Sequence, residues 1–396
     1  MSFTFQSTPD KVYYDVAISN IATVDNPPPP LYFNETRNQP FVTDPESYYL
    51  SIIRFTLDTP TLPVITPEIQ PNQANANLTV YSVTLQWTNP VAPFQTFTQQ
   101  TFVTYIPQNL SIPQPAPPSQ TDTGLKNNSQ SYYDIYNYQY WIYLVNITFT
   151  TCFNALNAQV TGAGLALPSL NKPVMNWDAQ QNIAILNADI AGYDDTAANH
   201  IKIFFNPSMY NLFNSFPVSI IGFNSITLGR NVRIVTSGFG GANIVPYPPV
   251  TPTYTALQIV QEYSTIALWT PVTSIVFTSN TLPIVPNNIS APLLFLNGNQ
   301  FRSGGNNSNI AQVITDFVAS EGMYKPQVTF APSAQYRLVN LVGNTPIYNL
   351  DIEVYYKNRV GDLIPFRLGS GSTATIKILF TRKGTEGDFS NLLLER

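Results

Sequence analysis

The residues able to carry proton-transfer or metal chemistry are few. There is one histidine, His200, and one cysteine, Cys152. A Ser-His-Asp triad needs a nucleophile set on a tight turn, and no G-x-S-x-G segment accompanies His200. A zinc site needs His and Cys clusters, which one copy of each does not provide. Two acidic pairs remain: Asp194 with Asp195 in a Gly/Ala-rich loop, and Asp351 with Glu353 on one face of a strand. Paired carboxylates serve glycosidases and calcium sites, but sparse acids on strands more often mark solvated faces or contacts. The glycine run at 238–241 precedes prolines rather than a helix, and no Walker A or G-x-G-x-x-G segment occurs. The expectation is no catalytic residue, no cofactor and no metal.

The elements around these residues read as short strands. Segments 12–19, 48–57, 77–88, 97–106 and 201–205 combine β-branched and aromatic residues with partial alternation. So do 274–278, 327–332, 336–342, 350–356, 364–368 and 373–380, which follow one another between turn signals as in a β-sandwich. Two stretches depart from that period. Over 132–160, apolar residues recur at Tyr138, Trp141, Ile142, Val145, Phe149, Cys152, Leu156 and Val160, a helical spacing. Asn206 and Pro207 form a cap and first-turn pair that predicts a short helix at 207–216.

Composition points to contacts with other chains. Only 10% of residues are charged, against about 25% in an average soluble chain, so surface charge does little to keep a monomer apart. In its place stand Asn, Gln, Thr and Ser, with 23 Tyr, 24 Phe and 34 Pro. Tyr132, Tyr133, Tyr136 and Tyr140 are the candidate subunit-interface anchors, because tyrosine suits wet interfaces with buried aromatic centres. The net charge is −5, and no Lys or Arg occurs from 55 to 125. Phosphate contacts dominate nucleic-acid affinity, so strong direct nucleic-acid binding is not expected. Seven N-x-[ST] sequons follow from the Asn and Thr richness. No N-terminal apolar leader is seen, no apolar run reaches the roughly 20 residues of a transmembrane span, and a single cysteine forms no intrachain disulfide.

Two segments look alike: 51–67, SIIRFTLDTPTLPVITP, and 274–286, SIVFTSNTLPIVP. Each runs from Ser-Ile through Phe-Thr to Leu-Pro and an aliphatic pair. A Gly/Pro-rich stretch, 238–254, lies between them. Read as a repeat, the pair predicts two similar β-domains in tandem, preceded by an N-terminal arm at 1–44 containing four consecutive prolines and followed by a tail at 384–396.

Four stretches carry a resemblance to a known family. They are YYLSIIRFTLDTPTLPV (48–64), IKIFFNPSMYNLFNSFP (201–217), QEYSTIALWTPVTSIVFTSNTLPI (261–284) and YRLVNLVGNTPIYNLDIEVYYKNRVGDLIPFRL (336–368). In these the chain resembles jelly-roll capsid proteins of polinton-like viruses, adintoviruses and virophages. The resemblance implies an all-β tandem (double) jelly roll with a few inserted helices. The first roll would occupy 45–237, with helical insertions at about 132–160 and 207–216; a joint at 238–254 would lead to the second roll at 255–383. It implies a virion protein, assembled inside the host cell beside neighbouring capsid proteins, and most simply a major capsid protein forming pseudo-hexameric trimers. The alternative is a single jelly roll with a large insertion, a penton or minor capsid protein forming vertex pentamers. A host-glycan-binding spike is a further alternative.

Overall fold

The computed structural model describes residues 9–21, 28–70, 74–108, 131–221, 229–236, 243–246, 255–285, 288–289, 294–297, 300–303, 310–318, 327–330, 337–359 and 361–384. The chain divides into two units. One joins Met1–Leu62 to Pro271–Arg396, and the other is Pro63–Thr270. Strands β1 (Lys11–Ser19), β2 (Tyr32–Thr36) and β3 (Tyr48–Asp58) open the first unit. The second unit holds β4 (Leu78–Thr88), β5 (Thr96–Thr104), helix α1 (Tyr138–Gly162), β6 (Val174–Asp178), β7 (Ile183–Asp189), α2 (Ile190–Tyr193) and β8 (Ile201–Phe205). It continues with α3 (Pro207–Leu212), β9 (Val218–Ile220), β10 (Val232–Ile234), β11 (Asn243–Pro246) and β12 (Thr255–Val260). The chain returns to the first unit with β13 (Val272–Thr278) and the short strands β14 (Asn288–Ile289), β15 (Leu294–Asn297), β16 (Gln300–Ser303) and β17 (Ile310–Ala311). It ends with β18 (Val313–Val318), β19 (Gln327–Phe330), β20 (Val339–Asn340), β21 (Asn349–Asn358), β22 (Leu363–Pro365) and β23 (Thr373–Arg382).

In the first unit, two antiparallel sheets enclose one core. Their strand orders are β1-β23-β3-β19 and β18-β13-β21-β2, with β20 beside β3 and β22 beside β21. Alternation explains the sandwich. Ala374, Ile376, Ile378 and Phe380 of β23 point inward, as do Leu350, Ile352, Val354 and Tyr356 of β21, and period two places such a set on one face of a sheet. Against β3 the register of β23 slips between Lys377 and Ile378, a bulge that keeps apolar residues facing inward on both sides.

The described residues of 1–44 lie on the first unit itself. Lys11 through Ser19 pair in unbroken register with Thr381 through Thr373, and Val12, Tyr14, Val16 and Ile18 pack on the sandwich core. Part of the proline run is held too: the Arg367 guanidinium donates to Pro28 O at 2.7 Å and the Leu368 N–H to Pro29 O at 3.0 Å. Residues 1–8 and the tail beyond 384 lie outside the described residues.

The second unit is built differently. Sheets β5-β4-β8-β10-β9 and β11-β12-β7-β6 share a core with α1. The helix buries Trp141, Val145, Phe149, Cys152 and Leu156 and packs against β4 and β5 of one sheet and β6 of the other. In its stretch 147–151, Thr148, Thr150 and Thr151 each donate their hydroxyl to the carbonyl four residues back, and the segment is helical because burial of Thr148, Phe149 and Cys152 in the core outweighs its weak local preference. Asn146, a sequon asparagine, is occupied. Its side chain donates to Met175 O at 2.8 Å and accepts from the Met175 N–H at 2.7 Å, completing the edge of β6.

Two expectations therefore need correction. The similar segments do not begin two tandem domains: β3 and β13 are strands of opposite sheets in one sandwich, with the second unit inserted between them. The division falls at Leu62/Pro63 and Thr270/Pro271, not at 238–254. Of that stretch only β11 is described, and it pairs with β12. Proline at both crossings follows from its inability to continue a ladder.

Candidate functional site

The groups able to do chemistry are spent on structure. Asp195 accepts from the Arg233 guanidinium and, at 3.1 Å, from the Thr236 N–H. His200 Nε2 lies 3.5 Å from the same carboxylate and its Nδ1 faces Ala197 O. The cluster fastens the loop after α2 to β10. Neighbouring Asp194 accepts from both the N–H and the hydroxyl of Thr196, a turn contact.

The second acidic pair is no freer. Asp351 accepts from the hydroxyls of Ser279 and Thr281 and from the N–H groups of Asn280 and Thr281. Burial pushes its carboxyl up, but these donors outweigh it and hold the pKa below the ordinary value. Glu353 accepts from Asn280 Nδ2 and from the Tyr355 hydroxyl. These bonds shape the corner after β13, where the chain leaves its sheet toward Leu282-Pro283. Cys152 is buried in the core, and burial raises its thiol to about 11, the opposite of an activated nucleophile. Among the described residues no group of three His, Cys, Asp or Glu side chains is placed to hold a metal. No helix among them is long and apolar enough to cross a membrane.

The four tyrosines divide. Tyr132 and Tyr133 are buried in the second unit's own core, with ring centroids 4.8 Å apart at 90° and the Tyr105 ring 5.8 and 5.3 Å from them. The Tyr132 hydroxyl donates to Asn77 Oδ1 at 3.0 Å and that of Tyr133 to Ala76 O at 2.8 Å. They bind the approach to α1 to the turn before β4, so they are packing residues rather than the subunit anchors expected. Their high polarity misled because a Tyr needs only one partner for its hydroxyl to be buried. Tyr136 and Tyr140 are half-buried. The Tyr136 N–H donates to Gln108 Oε1, and the Tyr140 hydroxyl to Ile106 O.

The apolar surface lies elsewhere. Val91 and Phe94 in the β4–β5 loop, Ile220 and Ile221 at the β9 edge, and Leu170 are all more than half exposed. Composition does not single them out. The signal that marks the first pair is local: Pro90-Val-Ala-Pro-Phe94 between two alternating strands, with no charge.

The fold, one sandwich with a large inserted unit, is shared with known proteins. A family model described as Sputnik minor capsid protein V18/19 matches residues 12–382. The chain belongs to that family. The V18/19 family is one of structural capsid proteins, and the chain is accordingly a virion component without enzymatic activity. Structural protein V19 of Sputnik virophage is 29% identical over 219 residues, 52% of this chain and 93% of V19. Sputnik V18, described as uncharacterized, is 34% identical over 153 residues, 38% of this chain and 87% of V18. A chain in the cryo-EM structure of the Sputnik virophage superimposes with TM-score 0.78 at 28% identity, covering 96% of this chain and 99% of that one. The crystal structure of the mavirus penton protein shares the fold, with TM-score 0.59 at 15% identity, covering 94% of this chain and 100% of that one. Membership of V18/19 replaces the major capsid protein expected from the resemblance with a minor one.

Proposed function

We propose that the chain is a vertex protein of an icosahedral shell, folded as a single jelly roll with a large insertion and assembling as a homopentamer beside other capsid proteins. One observation carries this reading. The eight path strands of the first unit are divided between its sheets as β1-β23-β3-β19 and β2-β21-β13-β18, the order of a jelly roll with two nested Greek keys. The insertion enters between the third and fourth of these strands. A double jelly roll needs a second set of eight. Among its described residues the second unit has instead a five-stranded and a four-stranded sheet packed with a 25-residue helix.

The minor-capsid family and the fold shared with a penton protein support the same reading. Copies of one jelly roll related by a closed rotation use heterologous contacts, one face of each subunit against a different face of the next. Light scattering on the purified full chain tests the number. Five times the 44.0 kDa chain mass is the expected result. Three times that mass restores the pseudo-hexameric trimer, and a persistent single-chain peak at assembly concentrations overturns self-association.

A further inference from the structure

A cavity of about 480 Å³ lies wholly within the first unit, in the size range of sites that hold ligands. Val276, Ile314 and Val339 line it from buried positions, and Val285 and Leu338 from exposed ones. Its charged lining has a positive excess. Arg337 is paired with Asp316. Lys357, also in the lining, is half-buried, and its ammonium has no hydrogen bond or ion pair among the described residues. An ammonium held beside apolar walls is stabilised by a carboxylate.

The chain carries carboxylates to this place. After β23, the Lys383 N–H donates to Ser47 O at 2.8 Å and its ammonium to Leu341 O at 3.4 Å. Leu341 follows the lining residue Asn340 and bridges to the lining residue Ile284. Gly384 then takes a left-handed φ of 88°, which turns the chain out of the strand direction. The chain thus leaves the described residues beside the cavity wall. Residues 385–396 read TEGDFSNLLLER. Extended, twelve residues span roughly 40 Å at most, so reach to an adjacent wall does not limit them. Leu392, Leu393 and Leu394 match the apolar lining, and Glu395 follows them directly. Three acidic residues and one basic give the segment a net charge of −2, more negative than any other segment outside the described residues. A flat face of another subunit cannot enter a cavity, whereas an extended segment can.

We propose that this cavity is the seat of the chain's own 385–396 segment. Leu392, Leu393 and Leu394 fill its apolar part, and the Glu395 carboxylate pairs with Lys357. The seated segment covers Val285 and Leu338, which are otherwise exposed. Because the segment is tethered at Gly384, its effective concentration at the cavity exceeds that of any free partner. The seat lies within one chain, so it stands apart from the number of subunits in the assembly.

The test is the rate of thiol labelling of Val285→Cys in the full-length protein, with wild type as the blank because Cys152 is buried. Deleting 385–396 is expected to speed labelling at least tenfold, and an excess of synthetic 385–396 peptide to slow it again. Lys357→Glu is expected to speed it at least threefold, and Lys357→Glu/Glu395→Lys to restore the slow rate. Thr375→Cys, exposed on β23, is expected to label at the same rate with and without the segment. Should the deletion also speed Thr375→Cys, the Lys357 and Glu395 variants decide the matter in the full-length chain. Under mild oxidation, Leu338→Cys/Leu393→Cys is expected to close a disulfide within one chain, read as a single-chain band on a non-reducing denaturing gel. Equal labelling of Val285→Cys with and without the segment, no rescue by the charge swap, or no disulfide overturns the proposal. So does a disulfide joining two chains, which would give the cavity to the segment of a second copy. Labelling reads one chain and light scattering reads self-association, so either idea can fail without the other.

Discussion

Phe55 of β3 and Phe277 of β13 meet ring to ring across the sandwich, with centroids 5.1 Å apart and planes inclined at 52°. They occupy matching places in the two similar segments, Ser-Ile-Ile-Arg-Phe-Thr and Ser-Ile-Val-Phe-Thr. The likeness thus reflects two strands doing the same job on opposite sheets. Phe317 and Phe330 complete the cluster, at 4.7 and 5.7 Å from Phe55. Replacing a buried Phe by Ala costs about 3–5 kcal/mol. Phe55→Ala and Phe277→Ala are each expected to lower the unfolding free energy, measured by urea titration, by an amount in that range. The double variant should lose about 0.5–1.5 kcal/mol less than the two losses added, the usual coupling of an aromatic pair. Fully additive losses would mean that the rings do not interact.

Asp134 carries a pH dependence. It is buried between Tyr133 and Ile135, and its described donor is the Thr66 hydroxyl, at 2.8 Å. Burial raises its carboxyl to about 7, the Thr66 bond opposing this only in part. The folded state therefore holds a proton that the unfolded chain gives up near the ordinary carboxylate value, and stability falls as pH rises from about 4 to about 7. At about 1.4 kcal/mol for each tenfold change in proton affinity, the loss across that range is roughly 4 kcal/mol. Asp134→Asn mimics the protonated form and is expected to flatten this part of the stability profile and to exceed wild type at pH 8. Chemical denaturation at pH 5 and pH 8 measures it, and an unchanged difference between the two pH values in the variant would clear Asp134 of the role.

Much of the fold was legible, and the failures have physical causes. Strand β3, helix α1 and the Asn206-Pro207 helix start were plain because their periods are strict or their caps specific: Asn206 Oδ1 accepts from the Met209 N–H at 3.0 Å as predicted. Strand β2 was missed because Tyr32–Thr36 is an edge strand with no buried residue, so it has no apolar alternation to read. The arm at 1–44 was misread because four prolines look like a break, whereas pairing with β23 is a long-range event that no local pattern encodes. Two of the four interface tyrosines were misplaced for a similar reason. Tyr132 and Tyr133 have the composition of an interface, and only the fold shows that their partners, Asn77 and Ala76, lie on their own chain.

Asp351 is expected to be a corner post. Asp351→Ala removes the acceptor for four donors at the 279–282 turn, and leaving several of them buried and unsatisfied costs on the order of 3 kcal/mol. Its pKa is depressed in the folded state, so its contribution is present above the ordinary carboxylate value and is lost as pH falls through the lowered one. The stability gap between wild type and Asp351→Ala should therefore be open at pH 7 and narrow as pH falls below the ordinary carboxylate value, the change due to Asp134 being common to both proteins. Thermal melts at pH 7 and pH 3 check both parts. A variant as stable as wild type at pH 7 would show that the turn holds without the carboxylate.

Gly192 is expected to tolerate no side chain. A Cβ built there would lie 2.3 Å from Ser169 Cβ and 3.2 Å from the Ser169 N, closer than real carbon contacts allow. The approach is close because Asp189, which caps α2 through the Ala191 N–H, also accepts from the Ser169 hydroxyl at 2.6 Å and from Asn171 Nδ2 at 2.8 Å. That carboxylate draws the 169–171 segment onto the helix. Gly192→Ala must push the segment away and is expected to cost about 1–3 kcal/mol, as overpacking does. Ser169→Gly alone loses the hydroxyl bond but opens the space. In the Ser169→Gly background the further Gly192→Ala change should then cost well under about 1 kcal/mol, because the clashing side-chain atom is gone and a helical Ala is preferred over Gly. Urea titrations of the four proteins measure the cycle. Equal costs of Gly192→Ala in both backgrounds would place the strain somewhere other than against Ser169.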